Sequence, residues 1–527
     1  MEQQLQKFID NIVPEIARLS QAGAEAYWQA TTTGEEKYEQ QYAELREQLL
    51  KLLSNPEDFT KLKEFKQSAS IADPVLLRQL DLLYNQFLEN QISQDLISEL
   101  VKRETEIEST FTNFRATYQG QPVSNNDIND VLKNELNNAK RREVWEASKQ
   151  IGPLVAAQVV DLVKLRNRIA QSLGFPNYHH MALVLAEIDP EELFTTLDEL
   201  KNLTDEPFKG LKQNLDQELG KRYSVSELMP WHYSDPFFQE APALGQVDLD
   251  SYFKTKDVVD LVVRFYTGIG LDVKPILERS DLYERPGKNQ HAYCIDIDRE
   301  GDVRTLCNLR NDEYWMNTLL HELGHGVYDV NNLGDLPYLL RTPAHTLTTE
   351  AIAMLMGRQT KNPAWLKEIV GVPIADIDKI QTQLQDQLAL SQLIFVRWGL
   401  VVVYFEREMY SNPDQDLNTL WWDLVEQLQL VSRPTGRQAP DWAAKIHVAT
   451  APAYYQNYIL GELTASQFHA TLEREIQTPL PVADPKIGAF LIEKIFRPGA
   501  LYPWNKHIEE ATGEPLNPKY FASEFVK

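Results

Sequence analysis

The sequence predicts a mainly α-helical protein that carries one small β-sheet beside a central helix. Three observations support this fold class. Residues 1 to about 220 read as successive amphipathic helices, with apolar residues three and four positions apart. Two short strand-like runs follow between 292 and 307. From 311 to the C-terminus the spacing is helical again.

The predicted helices are separated by short stretches rich in glycine, proline, serine and asparagine, which interrupt helices. These stretches lie at 124–127, 152–153, 174–176, 230–243, 432–440 and 478–485. The stretch from 230 to 243 combines several aromatic residues with prolines, which indicates a structured loop rather than a simple connection.

The two strand-like runs, 292–297 and 303–307, surround the segment 298–302, which contains a glycine. This arrangement predicts a β-hairpin with the glycine in its turn. Cys294 and Cys307 are the two cysteines of the chain, and the hairpin would bring them near each other across its ladder. The sequence leaves open whether they are bonded.

Charge and composition argue against several classes of function. Lys and Arg number 52 against 77 Asp and Glu, which gives a formal net charge of −25. Nucleic acid and anionic membranes attract cationic surfaces, so neither is an expected partner. The N-terminus lacks the basic and apolar regions of a signal peptide, and two cysteines cannot form a disulfide framework. We therefore expect a cytoplasmic protein, in which the apolar stretch 388–405, interrupted by Arg397, is a buried core helix.

A metal-binding pattern lies in the helix that follows the hairpin. A residue at 311 or 312 can cap a helix that contains His321-Glu322-Leu323-Gly324-His325. Two histidines four residues apart project from one helical face, where both imidazoles can reach one Zn²⁺ ion. Glu322 lies one position further round, where it can accept a proton from a water that the metal activates. The two glycines that flank His325 are poor helix formers and indicate the close approach of another element.

A catalytic zinc site needs a third protein ligand. Tyr328 and Asn331 stand where a three-histidine site of the metzincin type has glycine and histidine. Glu350 follows on an otherwise apolar predicted helix, where a buried carboxylate needs a partner such as a metal ion. Two other carboxylates remain as weaker alternatives, Asp329 and Asp335. We therefore predict one zinc ion per chain, held by His321, His325 and Glu350.

These residues resemble those of the gluzincin peptidases of the angiotensin-converting-enzyme type, to which the thimet oligopeptidase and oligopeptidase F families are related. The resemblance rests first on the motif at 321–325 and on Glu350 in the Glu-Ala-Ile segment that follows. It extends over most of the chain through short matches at 166–167, 174–178, 291–292, 445–447, 455–458, 467–469 and 496–498.

The resemblance implies a large two-lobed helical metallopeptidase with a deep cleft, in which 1–527 form a single catalytic unit. Residues 1 to about 220 would be an N-terminal helical lid or lobe, and 221–527 the zinc-site lobe and the remaining cleft wall. The implied partners are short peptides, whose peptide bonds would be hydrolysed with release of C-terminal dipeptides. A monomer is expected, although the sequence leaves the oligomeric state open.

The resemblance also assigns residues that handle the peptide backbone. His291 and the backbone of Ala292 would hold the substrate as an added strand at the hairpin edge. His447 and Tyr458 would donate hydrogen bonds to the oxyanion of the tetrahedral intermediate. Together with Glu322 as general base, His447 and Tyr458 make up the predicted catalytic residues.

A further pair would bind the C-terminal carboxylate of the substrate. The resemblance assigns this task to Lys445 and Tyr455. The alignment needs one extra residue between His447 and Tyr455, so Tyr454 is an alternative to Tyr455. Trp231 stands where the family has a glutamine that shares this task.

The chain departs from the family at two more positions. Asn457 replaces a chloride-binding arginine, and Met354 replaces an aspartate behind a zinc-bound histidine, so another group must orient that imidazole. The differences leave hydrolysis intact but make an endo-acting oligopeptidase a close alternative. A helical binding protein that retains the motif without hydrolysis, and a zinc hydrolase of non-peptide amides, are the remaining hypotheses.

Overall fold

Helices make up most of the chain, as the sequence predicts. The computed structural model describes residues 1–68, 70–242, 247–332 and 334–526, so residue 243 of the predicted 230–243 loop lies outside the described part. The α-helices are α1 (Glu2–Thr33), α2 (Glu36–Leu53), α3 (Pro56–Gln67), α4 (Pro74–Glu89), α5 (Gln94–Asn113), α6 (Asn125–Asn134), α7 (Asn138–Ser148), α8 (Gly152–Ser172), α9 (Tyr178–Leu185), α10 (Pro190–Tyr223), α11 (Asp250–Phe253), α12 (Val258–Gly268), α13 (Lys274–Arg279), α14 (Glu313–Asn331), α15 (Thr346–Gly357), α16 (Pro363–Trp365), α17 (Ile374–Ser411), α18 (Leu417–Gln429), α19 (Ile446–Thr450), α20 (Tyr455–Glu475), α21 (Pro485–Phe490), α22 (Trp504–Thr512) and α23 (Lys519–Phe525).

Two antiparallel sheets of two strands each interrupt the helices in the described part of the chain. The predicted hairpin is formed by β3 (Tyr293–Asp296) and β4 (Val303–Leu306). A second hairpin, formed by β1 (Ala116–Tyr118) and β2 (Gln121–Val123), lies in the region predicted to be helical throughout. Strands of three residues are too short for alternating apolar and polar positions to be recognised, so the sequence pattern does not reveal this hairpin.

The register of the β3–β4 hairpin separates the two cysteines along the ladder. Cys294 lies opposite Thr305, and Cys307 lies just beyond the end of β4. Both thiols are free. The two cysteines are therefore not directly opposite each other, because Cys307 lies two residues beyond the ladder partner of Cys294.

The chain forms two compact units from segments that alternate along the sequence. The first unit contains Met1–Gln91, Val247–Leu384 and Leu460–Tyr520, and the second contains Ile92–Gln246, Gln385–Ile459 and Phe521–Lys527. These boundaries differ from the predicted division near residue 220, because helices α1 to α4 belong to the same unit as the predicted zinc helix. That the whole chain acts as one catalytic unit stays a prediction.

In the first unit, the N-terminal helices pack around their own core and also on the β3–β4 hairpin. Helices α1, α3 and α4 share a buried apolar cluster that includes Leu5, Leu62, Leu80, Phe87 and Leu339. Further along α1, Trp28 packs with Ile297 and Leu306 of the hairpin region. The hydroxyls of Thr31 and Tyr293 lie 2.5 Å apart, and Arg304 forms a 2.9 Å ion pair with Glu25. Helix α1 therefore supports the hairpin from one side.

Helix α17 is the one helix in the described ranges that is long and apolar enough to cross a membrane. Within its most apolar window, 72% of the residues are buried inside the protein. A buried core helix meets the same criteria of length and composition as a membrane span. The burial confirms the core helix that the sequence predicts at 388–405.

Candidate active site

Helix α14 begins where the sequence predicts and carries the two histidines of the metal-binding pattern. Asp312 caps the helix, because its side chain accepts a 2.8 Å hydrogen bond from the backbone N–H of Trp315. His321 and His325 lie one turn apart on the same face, with their ring centroids 5.0 Å apart. Local sequence therefore determines the relative position of the two imidazoles.

Helix α15 approaches α14 closely at the predicted glycine. A Cβ atom on Gly324 would lie 2.7 Å from the Cα atom of Ala353 in α15, a distance that packed atoms do not tolerate. On another side of α14, the Tyr266 hydroxyl donates a 2.6 Å hydrogen bond to the carbonyl of Leu320. The small residue at 324 thus allows α15 to bring Glu350 against the histidines.

The three predicted metal ligands lie together in the first unit. Donor atoms of His321, His325 and Glu350 all lie within 4.8 Å of one another, and His321 Nε2 is 3.7 Å from Glu350 Oε2. Two imidazole nitrogens and one carboxylate oxygen are a common ligand set for catalytic zinc, which leaves one position open for water or substrate. The residues therefore fit a single zinc ion. The alternative ligands, Asp329 and Asp335, are not in this group.

A threonine contacts the second nitrogen of His325. The Nδ1 atom of His325 and the Oγ1 atom of Thr349 are 2.7 Å apart. When Nε2 binds a metal, the Nδ1–H group can donate to this hydroxyl, which fixes both the tautomer and the ring orientation. Thr349 is therefore our candidate for the orienting group that the replacement of the family aspartate by Met354 requires.

Replacing Thr349 by valine is expected to weaken zinc binding about 10- to 100-fold. Valine keeps the volume of threonine but removes the oxygen that contacts His325 Nδ1, so the imidazole loses its fixed orientation. The dissociation constant for zinc, measured by competition with a chromophoric chelator, tests this expectation.

Serine at position 349 is the matched control, because it retains the hydroxyl and loses only a methyl group. We expect the serine variant to bind zinc as the unaltered protein does. Equal zinc affinity of the valine variant and the unaltered protein would show that Thr349 does not orient His325.

Burial dominates the electrostatics of the predicted general base. Glu322 is 8% exposed, and burial, together with the nearby Glu350 carboxylate, raises the pKa of Glu322 to about 8. A hydrogen bond from the backbone of Cys294 opposes this shift. Burial also raises the pKa of Glu350 to about 7, with a further contribution from Glu462. A divalent cation beside Glu322 and Glu350 would favour the charged form of both carboxylates and so offset these pKa shifts.

The histidines are held in the neutral form that binds metals. Burial lowers the pKa of His321 to about 4. Burial and the neighbouring His321 lower the pKa of His325 to about 3. A neutral imidazole offers the lone pair that zinc requires, so no proton has to be displaced at neutral pH.

The predicted peptide-binding edge lies beside Glu322. His291 and Ala292 directly precede β3. Strand β3 pairs with β4 along one of its edges. The hydrogen bond between the Cys294 backbone and Glu322 shows that the first residues of β3 run past the general base. A peptide added along this strand would therefore pass close to Glu322, although the roles of His291 and Ala292 stay predictions.

The remaining predicted site residues lie together in the second unit. The rings of His447 and Tyr455 are 5.4 Å apart, and those of Tyr455 and Tyr458 are 5.5 Å apart. Lys445 Nζ lies 5.9 Å from the centre of the Tyr455 ring. The lysine therefore lies near Tyr455, and the shared binding role that the resemblance implies stays a prediction. The ring of the alternative residue, Tyr454, packs 5.2 Å from that of Tyr458.

The structure adds a residue that the sequence pattern does not reveal, Gln239. Its Oε1 atom accepts a 2.8 Å hydrogen bond from Lys445 Nζ. Trp231, which aligns with the glutamine of the family, instead packs its ring 5.9 Å from that of Trp145. Gln239 lies eight residues further along the same irregular loop.

Burial disfavours the protonated, positively charged form of Lys445. It lowers the pKa of Lys445 to about 8, while the carboxylates of Asp235 and Glu240 oppose this shift. Burial and the neighbouring Lys445 also lower the pKa of His447 to about 4, so this histidine is neutral and can donate a hydrogen bond. A cationic lysine, a glutamine amide and a tyrosine hydroxyl together suit a carboxylate ligand.

Comparisons with known families agree with this ligand set. The model of peptidase family M3 matches residues 131–527, which include the whole of α14 and α15. The model of angiotensin-converting enzyme matches residues 1–230, which end before the metal-binding pattern. The gluzincin resemblance seen in the sequence is confirmed, with the larger match to family M3.

Individual relatives are distant. Oligopeptidase A of Salmonella typhimurium is 24% identical over 428 residues, which are 67% of this chain and 60% of the relative. Oligopeptidase A of Escherichia coli is 24% identical over 425 residues, with the same coverage of 67% and 60%. An angiotensin-converting enzyme-related protein of Drosophila melanogaster is 22% identical over 283 residues, 50% of this chain and 44% of the relative. The chain thus spans about 60% of the length of the oligopeptidase A relatives.

Proposed function

Because the chain belongs to peptidase family M3, we propose that it is a zinc-dependent peptidase that hydrolyses peptide bonds in short peptides. The observation that carries this proposal is the group formed by His321, His325 and Glu350, whose donor atoms lie within 4.8 Å of one another beside the buried Glu322. The ligand set supports one zinc ion per chain.

The predicted catalytic and substrate-binding side chains have separate tasks in the proposed reaction. Zinc, when bound, supplies a Lewis acid for the scissile carbonyl and a positive charge that lowers the pKa of Glu322. Glu322 takes a proton from the attacking water and delivers it to the leaving amine. From the family resemblance, we further propose that His447 and Tyr458 donate hydrogen bonds to the oxyanion. His291 and the backbone of Ala292 hold the peptide as an added strand.

We propose that the enzyme releases C-terminal dipeptides. The support for this substrate class is the group of neighbouring side chains Lys445, Gln239 and Tyr455, here called the carboxylate pocket. The Tyr455 hydroxyl already accepts a 3.2 Å hydrogen bond from Trp398, so its own proton remains available to a ligand. A free C-terminal carboxylate can receive hydrogen bonds from all three side chains.

An endo-acting oligopeptidase is the second candidate. It is favoured by the similarity to the two oligopeptidase A proteins, which cover two thirds of this chain. Such an enzyme would bind peptides mainly through their backbone and would not require a free C-terminus. In that case the ammonium of Lys445 would have a structural task beside Gln239.

Paired peptides that differ only in a free or an amidated C-terminus distinguish the two candidates. We expect the zinc-loaded protein to release a dipeptide from the free acid. Amidation is expected to slow this cleavage about 10- to 100-fold, because hydrogen bonds to a charged group are lost. Mass spectrometry of timed digests identifies the products and their rates.

Two results would contradict the proposal in different ways. Internal cuts at equal rates in both peptides would identify an oligopeptidase. No cleavage of a peptide library, together with no zinc in the protein, would instead favour a binding protein.

A further inference from the structure

The loop from 235 to 240 in the second unit folds around one buried carboxylate. Asp235 is 3% exposed, and its oxygens accept hydrogen bonds from the backbone N–H groups of three residues. The distances are 2.8 Å from Phe237, 3.2 and 3.0 Å from Gln239, and 3.1 Å from Glu240. A single side chain therefore determines the course of the loop over these positions.

This loop carries two of the side chains that surround Lys445. The Gln239 amide accepts a hydrogen bond from Lys445 Nζ, and the Phe237 ring centre lies 5.6 Å from the same nitrogen. The backbone N–H groups of both loop residues are bound to Asp235. Because the backbone is held in this way, Asp235 determines where the amide of Gln239 lies relative to the lysine.

Asp235 also lies near buried positive charge. Lys149, which is 3% exposed, donates a 2.8 Å hydrogen bond to the carbonyl of Pro236, and its Nζ lies 3.2 Å from the centre of the Phe237 ring. Burial lowers the pKa of Lys149 to about 7, and the negative charges of Asp441 and Asp235 act against this shift. Asp235 acts in the same direction on Lys445.

We propose that Asp235 is a positioning residue for the carboxylate pocket, which holds Gln239 against Lys445 and makes cleavage depend on a free C-terminus. Asp235 does not contact the peptide in this proposal. Its effect passes through the loop backbone, which its hydrogen bonds hold in place. The inference rests on the proposed release of C-terminal dipeptides and adds the residue that organises the pocket.

The test compares Asp235→Asn with the unaltered, full-length, zinc-loaded protein on the paired peptides with free and amidated C-termini. Asparagine retains one acceptor oxygen but loses the negative charge and the second acceptor. We expect the KM for the free acid to rise about tenfold, the effect of losing roughly one hydrogen bond to a charged group. The kcat for the free acid and both constants for the amide should stay unchanged.

Glu240→Gln is the matched control, because it removes one negative charge from the same loop. The Glu240 side chain is 56% exposed and forms a 3.5 Å ion pair with Lys133, so its replacement leaves the bonds to Asp235 in place. We expect this variant to retain the preference for the free acid. If Asp235→Asn does not fold, Asp235→Glu keeps the charge, displaces the carboxylate and should raise the same KM.

The outcomes separate this inference from the proposed function. An unchanged KM for the free acid in Asp235→Asn, or an equal loss of kcat for both peptides, would overturn the positioning role. Lys445→Met tests the pocket itself. If it abolishes the preference for the free acid while Asp235→Asn retains it, only the role of Asp235 is overturned. If the unaltered protein cleaves both peptides equally, the pocket and the role of Asp235 are both overturned, and zinc-dependent hydrolysis remains.

Discussion

Replacing Glu322 by glutamine is expected to lower kcat about 10²- to 10⁴-fold, the usual contribution of a general base. Glutamine has the same shape as glutamate, but it cannot accept a proton from the attacking water. The side chain is 8% exposed and lies on α14 between the two histidines, so a replacement of equal size should leave the helix and the zinc ligands undisturbed. Steady-state kinetics on a peptide substrate measures kcat. Metal analysis measures the zinc content, and circular dichroism measures the helix content.

The control for this variant is Glu278→Gln, which removes the same charge from an exposed position on α13. We expect full activity in the control. Full activity in Glu322→Gln would exclude Glu322 as the general base. Loss of zinc from Glu322→Gln would show that this carboxylate takes part in holding the metal.

Replacing Glu350 by glutamine is expected to weaken zinc binding about 10²- to 10³-fold. Zinc binding by four protein ligands is worth about 10–16 kcal/mol, so each ligand contributes roughly 2.5–4 kcal/mol. The neutral amide oxygen is a poorer ligand than the carboxylate oxygen that lies 3.7 Å from His321 Nε2. Competition with a chelator gives the dissociation constant, and thermal unfolding of the metal-free protein reports any separate effect on stability.

Asp329→Asn is the matched control, because Asp329 is the alternative ligand that lies one helical turn beyond His325. Burial and the neighbouring Asp296 carboxylate raise the pKa of Asp329 well above its ordinary value, and the opposing charge of Arg299 does not cancel this shift. We expect the asparagine variant to bind zinc normally. Loss of zinc from Asp329→Asn, with normal binding by Glu350→Gln, would replace Glu350 in the proposed ligand set.

Patterns within one helix were the most predictable part of this protein. The spacing of His321 and His325, the cap at Asp312 and the buried course of 388–405 all follow from the 3.6-residue period of the α-helix. Glu350 could be anticipated because a carboxylate on an apolar helix needs a partner. The small hairpin at β1 and β2 could not, because three-residue strands carry too little pattern.

The contacts that orient the candidate site depend on pairs of residues that are distant in sequence. Thr349 contacts His325 across 24 positions, and Gln239 contacts Lys445 across 206 positions. No period or motif connects such pairs, since each forms only when separate segments pack together.

The sequence by itself determined the helical fold class, the hairpin, the metal-binding helix and the membership of a zinc-peptidase superfamily. These features are encoded in local periodicity and in short motifs, which can be recognised in the sequence without knowing how the helices pack. Tertiary structure alone decided how the two compact units divide the chain, which hydroxyl contacts His325 and which glutamine contacts Lys445. These features require the close approach of α14 and α15 at Gly324 and the folding of one loop around Asp235, and both are set by packing between distant segments.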